Sequence, residues 1–336
     1  RSGRESFPRQ EIPPTRLDHV GRNAMIPSPF GPILKARGLV VLDGGLATAL
    51  EEQGYVLADE LWSAKLLCDH PEAISMAHRR YLTAGADCIT TASYQASYVG
   101  FAASGIDHAE SASLLMRSTE LARKAIDQQE FPGVPSQLVA ASVGPYAAFL
   151  ADGSEYKGRY EADRGDLEAF HQDRWAALAD SNPDIMACET IPNGMEAEVL
   201  LDILEADRGR WAWLSFCCGD DGHLWDGTPI EDVAALCDRA SRVAAVGVNC
   251  TAPRLVPRLV EKIRSTTDLP IIAYPNSGET YDAITRSWWG TDEPWMTAIK
   301  ASIKAGASVI GGCCRIGPDR IRELREWVDS QEWRAR

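Results

Sequence analysis

The chain has 336 residues, 45% of them hydrophobic, enough to bury a large core in one α/β domain or two smaller ones. Its 34 basic and 48 acidic residues leave a net charge of −14, which argues against nucleic acid and anionic membrane surfaces as partners and suits a cationic substrate better. No apolar stretch reaches the roughly 18 residues of a membrane helix and no secretory core opens the chain, so a cytoplasmic protein is expected.

Residues 1–24, with RSGRESFPRQ and the pair Pro13 and Pro14, lack apolar periodicity and read as a flexible N-terminal tail, with 25–336 as one domain; Met25 is a candidate natural start. From Leu39 onward one phrase repeats: a short apolar run, a polar or glycine-rich turn, then a longer stretch with helical spacing. The runs at 39–43, 87–91, 138–143, 185–189, 211–217, 244–249, 270–274 and 308–312 read as eight strands. Amphipathic segments at 72–84, 109–126, 166–179, 195–205, 229–240 and 295–305 fall between them.

Alternation of strand and helix implies right-handed βαβ units and a parallel sheet. Eight units without an evident linker predict a closed (β/α)8 TIM barrel, in the α/β class. The rival is an open doubly wound sheet with a cap, but no GxGxxG or GxxxxGK[ST] follows any strand.

A barrel gathers its chemistry at the C-terminal ends of its strands. In chain order those ends carry Asp43, Gly44 and Gly45; Thr90, Thr91 and Ser93; Ser142 and Gly144; Glu189 and Thr190; Asn249 and Cys250; Asn276 and Ser277; then Cys313 and Cys314. Nine cysteines in a long chain argue for reduced thiols rather than a disulfide framework. Cys68, Cys88, Cys188 and Cys237 read as small buried hydrophobes, and so do Cys217 and Cys218, though these two end a strand.

Cys250 and the vicinal pair Cys313 and Cys314 differ, because converging thiolates from separate strand ends suit Zn2+. Adjacent strand residues face opposite ways, yet Gly311 and Gly312 loosen the backbone enough for both sulfurs to turn to one metal. Three thiolates leave a fourth position open for an incoming thiol. Two rivals stand beside this catalytic reading: a non-catalytic zinc protein whose site is closed by Cys217 or Cys218, and a redox pair cycling Cys313 with Cys314, which adjacency would strain.

The other strand-end residues fit an amino-acid thiol. Gly44 and Gly45 offer backbone N–H groups for a carboxylate, and Glu189, set in the apolar context IMACET, needs a cation such as an ammonium group. Each has a plainer use. Asp43 could cap the helix that follows, Glu189 could pair with an internal arginine or lysine, and Asn249 and Asn276 could tie loops together.

The segments LDGGLATALEEQG (42–54), DELWSAKLL (59–67), TASYQASYVGF (91–101), SVGPYAAFLADGSEYKGRY (142–160), ACETIPN (187–193), GVNC (247–250), YPNSGETYDA (274–283) and GGCCR (311–315) closely resemble the homocysteine S-methyltransferases. The likeness runs from about Ile33 to Trp327. It implies a zinc-dependent barrel in which Cys250, Cys313 and Cys314 hold the metal and homocysteine binds through its sulfur. It further implies that Asp43 and Glu189 receive the amino group with Gly44 and Gly45 near the carboxylate, Asn249 and Asn276 being further substrate-binding candidates. The most similar branch takes its methyl group from S-methylmethionine, with S-adenosylmethionine a poorer donor. A sulfonium favours aromatic faces, which nominates Tyr146, Phe149, Tyr156, Tyr160, Trp62 and Trp288.

Overall fold

A computed structural model describes residues 28–56, 63–129, 136–282, 285 and 287–331. The expected tail at 1–24 and Trp62 lie outside these. Among the described residues the barrel strands are β1 (Val40–Val41), β2 (Cys88–Thr90), β3 (Leu138–Val143), β4 (Ile185–Ile191), β5 (Ala212–Phe216), β6 (Val243–Asn249), β7 (Ile271–Tyr274) and β10 (Ala307–Ile310). All pair in parallel, in the order β1-β10-β7-β6-β5-β4-β3-β2. The ends of that sheet meet: Leu42 bridges Cys88, and Asp43 donates its backbone N–H to the Cys88 carbonyl at 3.0 Å. The chain is a (β/α)8 TIM barrel, and closure removes the open-sheet alternative.

Between β7 and β10 a two-stranded antiparallel hairpin, β8 (Thr280–Asp282) with β9 (Ser287–Trp289), stands apart from the barrel. Every barrel connection carries a helix, including Val256–Arg264 and Pro318–Asp329, each with a proline in its first turn where the missing N–H costs nothing. No helix of the described residues is long and apolar enough to cross a membrane.

Strand side chains alternate between two cores. Val41, Ile89, Val139, Met186, Cys188 and Leu214 face outward into the layer shared with the helices. Val40, Leu42, Cys88, Ala140, Ala187, Trp213, Ala245, Ile272, Tyr274 and Val309 fill the interior. The helix Gly31–Arg37 brings Phe30, Ile33 and Leu34 into this inner core before β1 begins. Phe30 stacks on Trp213 with ring centroids 5.9 Å apart, and Trp213 Nε1 donates to Tyr274 Oη at 3.0 Å.

A column of rings thus runs from the N-terminal segment toward the strand ends. Phe30 is fully buried, so Phe30→Ala is expected to cost about 3–5 kcal/mol, the usual range for emptying a phenylalanine site. Denaturant unfolding checks it: the midpoint should fall with the slope unchanged.

Candidate active site

β4 and β6 end abnormally, and that abnormality shapes the site. Thr190 and Cys250 adopt φ of 62° and 47°, the left-handed region that side chains other than glycine seldom occupy. Asn249 holds both turns: its Oδ1 accepts the Thr190 backbone N–H at 2.7 Å, and its Nδ2 donates to Thr190 Oγ1 at 2.7 Å. Cys250 is pinned further, its N–H given to the Tyr274 carbonyl at 3.2 Å and its own carbonyl accepting from Asn276 Nδ2 at 3.3 Å.

After β10 the Cys313 N–H bonds the Pro275 carbonyl at 3.0 Å, and the Cys314 carbonyl accepts the Ser277 N–H at 3.2 Å. The result is a cluster in which the Sγ atoms of Cys250, Cys313 and Cys314 all lie within 4.8 Å of one another, Cys250 and Cys314 at 3.5 Å.

Three sulfurs at about 2.3 Å from a tetrahedral zinc would stand about 3.8 Å apart, so this spacing and donor set fit that ion. Crowding acts on the thiols themselves. The neighbouring S–H groups of Cys313 and Cys314 pull Cys250 well below the usual thiol range, whereas Cys313 and Cys314 are pushed up, first by their hydrogen bonds to Cys250. Tyr156 Oη lies 3.2 Å from the Cys250 sulfur; burial and the adjacent thiolate charge raise its pKa, so the phenol stays protonated and donates.

Cys217 takes no part in the cluster: its Sγ donates to the Cys250 carbonyl and accepts from Trp225 Nε1, each at 3.3 Å. Cys218 packs in the outer core. Among the described residues neither joins the three sulfurs.

The three cysteines form part of the wall of a cavity also lined by Asp43, Gly44, Gly45 and Glu189. Asp43 does not cap the helix Leu46–Glu51, whose N-cap is Gly45. Its Oδ2 instead accepts the Thr90 N–H at 2.7 Å and Thr90 Oγ1 at 3.0 Å. Burial raises its pKa well above the usual carboxylate range against those bonds, with the Glu189 charge adding to the rise.

Glu189 meets hydroxyls rather than a basic side chain, accepting from Ser142 Oγ and from Tyr274 Oη, the latter at 3.1 Å. Burial pushes it up to about 7. Two buried carboxyls on one cavity wall suit a cationic guest, because its charge restores what burial removed.

Some expectations need correction. The Gly45 N–H donates to the Ile316 carbonyl at 3.0 Å and is not free for a carboxylate. Gly44 and Gly45 both line the cavity and allow close approach there, since a Cβ on them would stand 2.2 Å from Ile316 O and 2.8 Å from Cys313 O. Asn249 and Asn276 are not in the cavity wall; they brace the loops that carry Cys250.

Of the nominated aromatics, Tyr156 and Trp288 line the cavity, while Tyr146, Phe149 and Tyr160 pack together with Phe170 behind it. That group is fixed by the buried Glu196, which accepts from the Tyr146 N–H at 2.6 Å, from Tyr160 Oη and from His171 Nε2 at 2.7 Å. Tyr94, Gln95, Glu155, Tyr281 and Arg315 also line the cavity; all five fall inside the segments that carry the family resemblance, but none is among the expected site residues.

Asn249→Ala leaves the Thr190 N–H buried without a partner and frees two strained turns. We expect about 1–3 kcal/mol lower stability. Metal affinity should drop about 10–100-fold, as for other groups that orient a ligand. Chemical unfolding and a competitive chelator titration measure the two.

Comparison with known proteins places this site in a family. Residues 40–328 match the model described as homocysteine S-methyltransferase. A homocysteine S-methyltransferase from Escherichia coli (strain K12) is 45% identical over 306 residues, covering 89% of this chain and 98% of that one. Homocysteine S-methyltransferase YbgG of Bacillus subtilis (strain 168) is 43% identical over 310 residues, covering 90% and 98%. The metallated form of the homocysteine methyltransferase MmuM from Escherichia coli aligns with a TM-score of 0.79 and 44% identity over 89% of this chain and 99% of that one.

Proposed function

The chain belongs to the homocysteine S-methyltransferase family, and on that premise we propose that it moves a methyl group from a sulfonium donor, S-methylmethionine foremost, to the sulfur of L-homocysteine at a zinc ion held by Cys250, Cys313 and Cys314. The methyltransferase class and the homocysteine acceptor come with the family. The observation that carries the finer reading is the convergence of the three sulfurs on a cavity wall shared with Asp43 and Glu189. When bound, zinc would supply the positive charge that keeps an incoming thiol ionised at neutral pH.

The chain's own residues do the rest by positioning. Asp43 and Glu189 receive the acceptor's ammonium group and regain their charge as it arrives. Ser142, Thr90 and Tyr274 orient those carboxylates through the hydrogen bonds described above. Tyr156 donates to the Cys250 sulfur and keeps water from that side of the cluster.

Transfer then needs no base. The homocysteine sulfur attacks the methyl carbon in line while the donor carbon–sulfur bond breaks, and its electron pair leaves with the donor, which becomes a neutral thioether. With S-methylmethionine both products are methionine. Holding two reactants at near-attack distance accounts for most of such a rate gain.

The test is methionine formation from homocysteine by the zinc-loaded protein, with S-methylmethionine, S-adenosylmethionine and betaine assayed in parallel. Turnover is expected to be fastest with S-methylmethionine, slower with S-adenosylmethionine and absent with betaine. No methionine from any sulfonium donor would sink the reading.

A further inference from the structure

Beyond Asp43 and Glu189 the cavity is lined by Glu51, which pairs with Arg315 at 3.9 Å, and by Glu155, which the acceptor clamp leaves unused. Glu155 sits in the helical turn Ser154–Tyr156, on the long loop after β3, whereas Asp43 and Glu189 come from the ends of β1 and β4. It is only 7% exposed and lines the cavity, and its Oε2 has no hydrogen-bond partner among the described residues. A buried carboxylate oxygen without a partner is costly, and one held at a cavity wall is open to a cation that arrives from outside. Lys157, two residues on, lends some charge but donates to the Asp152 carbonyl at 3.5 Å, and among the described residues no lysine or arginine bonds Oε2.

The surroundings point to the kind of cation. The next residue, Tyr156, touches the Cys250 sulfur, so Glu155 belongs to the side of the cavity where a group must approach the reacting sulfur. Tyr156 and Tyr281 have ring centroids 6.4 Å apart, Tyr281 and Trp288 5.1 Å apart, and all three rings line the same cavity. Aromatic faces with one carboxylate favour a soft, weakly hydrated cation over a small ammonium ion.

We propose that Glu155, with the rings of Tyr156, Tyr281 and Trp288, binds the positive centre of the methyl donor. This rests on the sulfonium reading above and deepens it. The donor's charge disappears when its methyl group leaves, so the same carboxylate holds the donor and releases the neutral thioether. Discrimination between donor and product is therefore built into one side chain.

The test compares wild type, Glu155→Gln and Glu155→Asp, each loaded with zinc and checked for equal metal content. In the glutamine variant the donor KM should rise about 10–100-fold, the worth of one charge-assisted contact, and the aspartate variant should recover part of it. The homocysteine KM should change less than about twofold, since that clamp is elsewhere. Isothermal titration with the trimethylsulfonium cation and with neutral dimethyl sulfoxide gives a readout independent of turnover.

Wild type should bind the cation and not the neutral molecule, and Glu155→Gln should bind neither. An unchanged donor KM, or an equal rise in both KM values, would overturn the proposal. So would equal binding of the two probes by wild type, which keeps the question decidable even where the variant does not fold. Cation binding lost in Glu155→Gln supports the site even if no methionine forms, so this inference and the functional reading fail separately.

Discussion

Replacing any one of Cys250, Cys313 or Cys314 with serine is expected to abolish methionine formation together with tight metal binding. A full zinc site of four protein ligands is worth about 10–16 kcal/mol, so each ligand carries about 3–4 kcal/mol, or roughly 10²–10³-fold in affinity. Serine cannot substitute, because a hydroxyl does not ionise near neutral pH. The remaining pair of sulfurs would then share the ion with water, and activity should fall by more than affinity does. Cys68→Ser is the control: that thiol packs at the edge of the outer core, away from the cluster, and the variant should keep metal and rate. X-ray absorption adds a structural check, since three sulfur neighbours should become four when homocysteine is added.

The second large effect concerns Glu189. Removing a buried carboxylate that faces an ammonium group costs about 3–5 kcal/mol, so Glu189→Gln should lower kcat/KM for homocysteine by roughly 10²–10⁴-fold. The pH profile carries the sign. Burial raises this carboxyl to about 7, so below that pH the empty site holds it neutral and the ammonium meets no charge. The wild-type kcat/KM for homocysteine should therefore fall as pH drops through about 7, the parameter that reports on the free enzyme, and the glutamine variant should lose that limb. Stability runs the other way: a carboxyl raised on folding favours the empty protein at low pH, and that contribution is lost as pH rises through about 7. An unaltered profile in Glu189→Gln would mean that another group titrates.

The barrel and the cysteine cluster were legible in the chain because both rest on local pattern. Each apolar run from 39–43 to 308–312 breaks off at a polar residue or glycine, and in a closed barrel those breaks share one rim. The helix Val256–Arg264 is not among the segments that read as amphipathic, although Val256, Leu259, Val260 and Ile263 are buried on one face, because Pro257 in its first turn masks the start.

Other features depend on packing between distant segments. Asn249 faces Thr190 across β5 because β4 and β6 both turn left-handed there, and no spacing in the sequence announces such a turn. Tyr146, Phe149 and Tyr160 have the composition of a cation site, yet Glu196, from the helix after β4, draws the loop back into the core. Glu155 shares the segment 142–160 with Asp152, and no spacing separates the two. Only its burial without a partner marks it.

The turns at Thr190 and Cys250 bear on how such a protein could be improved. Threonine is β-branched and poorly suited to φ of 62°, and residues held in sparsely populated backbone regions cost on the order of 1–3 kcal/mol each. A glycine at 190 would relax the backbone but give up the hydroxyl that Asn249 Nδ2 grips. Directed evolution for heat resistance alone would drift toward relaxed backbones at this rim, and evolution for turnover would drift away from them. The mouth of this barrel is where thermostability and catalysis compete for the same residues.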